Sequence, residues 1–87
     1  MSKRLNGKVA LITGGAAGFG KGTAKTFARE GAKVYISDIN VKGGKKVAED
    51  LGVTFLEHDV TNPDRWQEVI AEIKSKENQL NILVNNA

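Results

Sequence analysis

The sequence predicts an α/β fold in which a doubly wound parallel sheet, with strand order 3-2-1-4, carries helices on both faces. Three observations predict it. Short apolar runs recur along the 87 residues, amphipathic helical patterns separate them, and a glycine-rich turn joins the first run to the first helix.

The strands come first. Val9-Ala10-Leu11-Ile12, Lys33 to Asp38, Val53-Thr54-Phe55-Leu56 and Ile82-Leu83-Val84 are short runs bounded by Gly, Asn or Asp. Continuous apolar runs of this length read as strands covered on both faces. Between them, Gly20, Thr23, Ala24, Phe27, Ala28 and Gly31 recur at helical spacing, and Gly31 suits a left-handed C-cap. Val41, Val47, Ala48 and Leu51 mark a second helix, in which Gly43 and Gly44 each cost about 1 kcal/mol relative to Ala. Trp66, Val69, Ile70 and Ile73 mark a third. Its start is signalled by Thr61-Asn62-Pro63-Asp64, where either Thr61 or Asn62 supplies the cap, and Asn78 suits its end. Strict strand-helix alternation implies right-handed crossovers. The switch point then falls between the first and fourth strands, and ligands bind at the carboxyl ends of the strands.

Length allows one small domain, read here as part of a larger dinucleotide-binding fold spanning residues 1–87. With no cysteine, disulfides and thiolate metal sites are excluded. The net charge of +3 is spread along the chain, and Lys42, Lys45 and Lys46 are followed by Glu49 and Asp50, which reads as a solvated helix face. Nucleic-acid binding is therefore not expected. No apolar run approaches the roughly 20 residues of a membrane span, and the N-terminus lacks a signal-peptide pattern, so a cytoplasmic setting is expected.

Chemistry concentrates in Thr13-Gly14-Gly15-Ala16-Ala17-Gly18-Phe19-Gly20. Glycines here permit positive φ and let backbone approach a phosphate, while the following helix offers free N–H groups and a positive dipole end. Gly15 to Lys21 match G-x-x-x-x-G-K, but Gly22 replaces the hydroxyl residue that a P-loop needs for Mg²⁺. The alternative pattern, T-G-x-x-x-G-x-G, is satisfied by Thr13, Gly14, Gly18 and Gly20.

With that turn the chain resembles the short-chain dehydrogenase/reductase family, whose fold is of the Rossmann type. The resemblance continues through Asp38 at the end of the second strand, Asp59-Val60 after the third and Asn85-Asn86-Ala87 after the fourth. It implies that Gly14, Gly18, Phe19 and Gly20 cradle a pyrophosphate. It implies further that Asp38 accepts from the adenosine ribose with Ile39 beside it, and that Asp59 and the Val60 backbone meet adenine. Asn85, Asn86 and Ala87 then line the cofactor cleft. Helix-cap roles are the structural alternatives for Asp38 and Asp59, and Thr13 is expected to brace the turn.

A carboxylate at Asp38 also repels a 2′-phosphate, by roughly 4 kcal/mol at 4 Å and an effective dielectric of 20. Ala17 and Ile39 occupy the places where NADP-preferring relatives usually carry a basic residue, so the expected cofactor is NAD. The family's reaction interconverts a secondary alcohol and a ketone by hydride transfer, and the spacing around Leu5-Asn6-Gly7-Lys8 and Ser37-Asp38-Ile39-Asn40 looks most like hydroxysteroid and related secondary-alcohol dehydrogenases of bacteria. Its catalytic Ser and Tyr-x-x-x-Lys are not found here: Tyr35 is the sole tyrosine, and Ile39 stands four residues on. The chain alone is thus expected to bind nucleotide without turnover, as the NAD-binding portion of such a dehydrogenase or, alternatively, as a stand-alone nucleotide-binding module. His58, the one histidine, is expected as a partly exposed strand-end residue, and Trp66 as helix packing. The fourth strand leaves an open apolar edge, from which self-association into a homo-oligomer is expected.

Overall fold

A computed structural model describes residues 4–86. The elements are β1 (Val9–Thr13), α1 (Gly18–Arg29), β2 (Lys33–Asp38), α2 (Val41–Leu51), β3 (Thr54–Glu57), α3 (Pro63–Glu77) and β4 (Ile82–Val84). All strand pairs are parallel, and the order is β3-β2-β1-β4, as the alternation predicts. The third strand lies one residue later than the apolar run suggests, because Glu57 pairs with Asp38.

Side chains two apart along each strand share a face, and this divides the core. Val9, Leu11, Tyr35 and Leu56 pack on Val69 and Ile73 of α3. Ile12, Val34 and Ile36 pack on the opposite face with Ala24 of α1 and Val47 of α2. β1 runs through the middle, paired on both edges and buried at every residue. Its start is anchored by Asn81, whose Oδ1 accepts from the Val9 N–H at 2.8 Å while its own N–H donates to the Val9 carbonyl at 2.9 Å. Tyr35 is buried under α3 and donates to Glu77 Oε2 at 2.6 Å. Burial, together with that carboxylate, pushes its pKa up to about 12.

Helix ends follow the sequence signals closely. Asn62 is the cap of α3 and accepts from the Arg65 N–H, and Asn78 closes the helix in the left-handed region at φ 63°. Gly31, just past α1, takes φ 97°. The two glycines inside α2 have packing reasons. A Cβ on Gly43 would lie 2.6 Å from the amide of Asn40, the residue that caps the helix by accepting from the Gly43 N–H. A Cβ on Gly44 would collide with the ring of Phe55 on β3.

Gly44→Ala therefore sets a propensity gain of about 1 kcal/mol against an overpacking cost of about 1–3 kcal/mol. The expected result in urea unfolding is a net loss of stability for Gly44→Ala, and a gain when it is combined with Phe55→Leu. Additive behaviour of the two substitutions would show that helix and ring do not meet.

Candidate functional site

The carboxyl ends of β1, β2 and β3 lie along one edge of the sheet, and α1 begins just beyond that of β1. After Thr13 the chain turns through Gly14 at φ 67° and Gly18 at φ 62°, conformations that side chains other than Gly rarely adopt. Gly15 packs where a Cβ would lie 2.6 Å from Ile36 Cβ. Gly20 sits against the Gly14 carbonyl, so that a Cβ would collide with it, and the Asn86 Nδ2 would be 3.0 Å away. The turn thus depends on glycine both for dihedral angles and for close approach.

The start of α1 differs from those of α2 and α3. Both later helices have asparagine caps, whereas the N-cap of α1 is Ala17, with no side-chain hydrogen bond and no acidic residue in the first turn. The first N–H groups of α1 are left for an external acceptor, and the dipole favours an anionic one. Phe19, in this first turn, is 87% exposed. Gly18 and Phe19 border a groove of about 410 Å³ with Gly22 and Thr23.

Asp38 ends β2 with both carboxylate oxygens engaged. Oδ2 accepts from the Ala16 N–H at 3.0 Å, and Oδ1 accepts from the Asn40 N–H at 2.9 Å. Asp38 thus orients the glycine-rich turn and leads the chain toward α2, but the cap of α2 is Asn40. Each oxygen keeps acceptor capacity toward the open side. Ile39 follows, 68% exposed.

Asp59 is likewise not a helix cap. Its Oδ1 accepts from the Thr61 N–H at 2.9 Å and the Thr61 hydroxyl at 2.6 Å. Those bonds, the hydroxyl's first, hold the Asp59 carboxyl below its ordinary pKa. The Val60 carbonyl accepts from Trp66 Nε1 at 2.8 Å, so the indole ties this segment to α3 as well as packing in the core.

Two expectations need correction. Thr13 braces the sheet rather than the turn: its hydroxyl lies 3.4 Å from the Val84 carbonyl and 3.2 Å from Asn85 Oδ1, and its Oγ1 accepts from the Asn86 N–H at 2.9 Å. Those bonds bring Asn85 and Asn86 to the end of β1, while Ala87 lies outside the described residues. His58 is not partly exposed. It is buried, 1% accessible, with Nδ1 3.0 Å from Ser37 Oγ. Its ring is set edge-on to Trp66 at 4.4 Å between centroids. Burial first, and the Arg65 charge second, hold its pKa below the ordinary value. The sign for stability follows: the unfolded chain takes up this proton more readily, so stability falls as pH drops through the unfolded value of 6.5. The missed signal is parity, since Leu56 and His58 are two apart and share the α3 face.

A cavity of about 320 Å³ gathers these pieces, lined by Gly14, Asp38, Ile39, His58, Asp59 and Val60. Its walls are two carboxylates, two branched apolar side chains, the His58 residue and the turn backbone. Such a site can take a flat apolar group with hydroxyls at one edge and lies next to an anion-accepting helix start. Among the described residues no group of His, Asp and Glu is arranged to hold a metal ion, and no helix is long and apolar enough to cross a membrane.

Comparison with known proteins bears on the family and the fold. The chain is 47% identical over 89 residues to 3-beta-hydroxysteroid dehydrogenase of Comamonas testosteroni, with all of this chain and 35% of that protein covered. To sorbitol dehydrogenase of Cereibacter sphaeroides it is 41% identical over 86 residues, covering 97% of this chain and 34% of that protein. Among solved structures, hydroxysteroid dehydrogenase from Escherichia coli superposes with a TM-score of 0.93 at 37% identity, covering 99% of this chain and 38% of that one. The chain thus spans about a third of the length of these relatives. A family model described as short chain dehydrogenase matches residues 8–87, and the chain belongs to that family.

Proposed function

We propose that this chain is the NAD-binding portion of an oxidoreductase that interconverts a secondary alcohol and a ketone. The observation that carries the reading is the Asp38 carboxylate, fixed by the Ala16 N–H at the lip of a cavity that Asp59 and Val60 close on the other side. The adenosine ribose would sit on Asp38, adenine between Ile39 and the Asp59-Val60 segment, and the pyrophosphate at Gly14, Gly18, Phe19 and Gly20. The uncapped start of α1 fits an anion there, and the space that a Cβ on Gly20 would fill is what lets the turn fold back. Asn85 and Asn86 would continue the cleft toward the nicotinamide side, and by the family resemblance Ala87 would follow them. When bound, the cofactor supplies a hydride acceptor. The chain's own residues supply binding and orientation.

NAD is favoured over NADP by the same carboxylate. No cation stands at Ala17 or Ile39 to offset a 2′-phosphate, and Asp38 would repel it. A second reading, a nucleotide-binding module without turnover, is favoured for these 87 residues by themselves, because they hold no Tyr-x-x-x-Lys. General acid-base groups are typically worth about 10²–10⁴ in rate. The relatives act on substrates as unlike as a steroid and a sugar alcohol, and the substrate class is drawn no more narrowly than a secondary alcohol.

Calorimetry should find tighter binding of NAD than of NADP. Asp38→Asn removes the charge and keeps one acceptor oxygen for the two N–H groups of Ala16 and Asn40; it should weaken NAD binding by at least about 1.5–3 kcal/mol, the range for a hydrogen bond to a charged group. The same substitution should narrow the preference over NADP. Equal or tighter NADP binding by the unsubstituted chain would defeat the cofactor assignment. The same preparation, given NAD⁺ and a panel of secondary alcohols, should produce no NADH above buffer; sustained production would defeat the module reading.

The reading extends to self-association. β4 is a three-residue edge strand, and Leu83 on it is 51% exposed beside α3. For these 87 residues by themselves, an open parallel edge with an apolar side chain invites pairing with another strand, a second copy of the chain among them. Sedimentation velocity across concentration should show association that Leu83→Lys reduces, whereas a monodisperse monomer at all concentrations would contradict it.

A further inference from the structure

The buried His58 is an unusual support for a ligand cleft. Its Nε2 has no hydrogen-bond partner among the described residues, although the atom is buried. Its backbone N–H donates to the Asp38 carbonyl at 3.1 Å. Its ring packs edge-on against Trp66, and Trp66 in turn donates to the Val60 carbonyl. One residue therefore touches both walls of the cavity, the Asp38 side through its backbone and the Val60 side through Trp66. An aliphatic or phenyl side chain would fill the same space without an orphaned nitrogen. An imidazole adds a partner for the buried Ser37 hydroxyl and, unlike those side chains or an uncharged amide, a second protonation state.

We propose that His58 is a positioning residue of the nucleotide cleft: its neutral ring props Trp66 and the Asp59-Val60 wall, and protonation of the ring releases that wall and weakens nucleotide binding. The inference rests on the reading of this cavity as the adenosine site.

The surroundings favour the neutral ring. From β2 the group facing it is the uncharged Ser37 hydroxyl, with the Asp38 carboxylate turned to Ala16 and Asn40. From α3 come the apolar indole of Trp66 and the Arg65 guanidinium, whose charge opposes a second cation. On its own segment Asp59 attracts a proton, but that carboxylate is already bonded twice to Thr61. A proton on the ring would need a partner for each N–H, and Nε2 has none where it lies. The charged ring finds solvation only by moving outward into the cavity, between the two carboxylates, where the adenine would be. Protonation and occupancy thus compete, and linkage makes the competition reciprocal.

The test uses ADP-ribose as probe and the chain's single histidine as reporter. Proton NMR of the imidazole C–H resonances gives the ring's titration in the free chain and at saturating ADP-ribose. The expected result is a lower midpoint with ligand, and ADP-ribose affinity that falls ~10-fold per pH unit below the free-chain midpoint. His58→Phe, which keeps a ring against Trp66, should bind at about pH 8, where an imidazole is neutral, and lose the pH dependence. His58→Gln supplies an uncharged polar control with the same expected flat profile. An unchanged midpoint on binding, or the same pH profile in His58→Phe as in the unsubstituted chain, overturns the proposal and leaves the adenosine site standing. Failure of the unsubstituted chain to bind ADP-ribose at about pH 8 overturns the site assignment and the proposal with it.

Discussion

At the end of β1 the backbone of Gly20 comes so close to the Gly14 carbonyl that no side chain fits between them. This contact fixes where α1 begins. It brings the helix N-terminus to the carboxyl edge of the sheet and leaves its first N–H groups without a side-chain cap. It also returns the chain so that α1 lies over β1 and β2, where Ala24 packs with Ile12 and Ile36. Were the turn wider, the Ala16 N–H would not reach Asp38, and the carboxylate would lose the bond that fixes it. The geometry of the cleft descends from that one approach, which only glycine permits at Gly20.

The rest of the site hangs on the central strand and its neighbours. β1 is buried throughout, so its position is set by packing on two faces and pairing on two edges. Thr13 carries that rigidity across to Asn85 and Asn86. On the other side, β2 carries it to Asp38, and β3 carries it to His58 and Asp59. The floor of the cleft is thus sheet backbone, which moves little, while the outer wall at Asp59 and Val60 is a loop held by side chains. Loops held by a few side-chain contacts open more readily than core strands. The His58–Trp66 pair is where this site can be loosened.

Most of the architecture was legible because its signals are local. Apolar runs bounded by Gly, Asn and Asp located the strands, and the glycine pattern located the turn. Asn62 with Pro63, and Asn78, marked the ends of α3. The candidate residues Gly14, Asp38, Ile39, Asp59 and Val60 do come together in one cavity, because strand ends in a parallel sheet share an edge. What was not legible depends on contacts across the sheet. The parity of His58 with Leu56 gives its face, but its partners, Ser37 on β2 and Trp66 on α3, are not sequence neighbours. Thr13 serves the fourth strand because β4 pairs with β1, a register no local pattern displays. Gly44 is a weak point in α2 by propensity alone, and only the Phe55 ring lying against it from β3 accounts for the glycine. The second duty of Asp38, bonding Ala16, likewise needed the turn in three dimensions.

Amide chemical-shift mapping with ADP-ribose asks whether the uncapped start of α1 and the strand-end carboxylates form one nucleotide site. The largest changes should then fall on the amides of Gly14, Gly18, Phe19 and Gly20 together with Asp38, Asp59 and Val60. They should saturate with a single affinity, since one molecule spans both groups. Changes confined to one group, or centred on the outer face of α3, would contradict it.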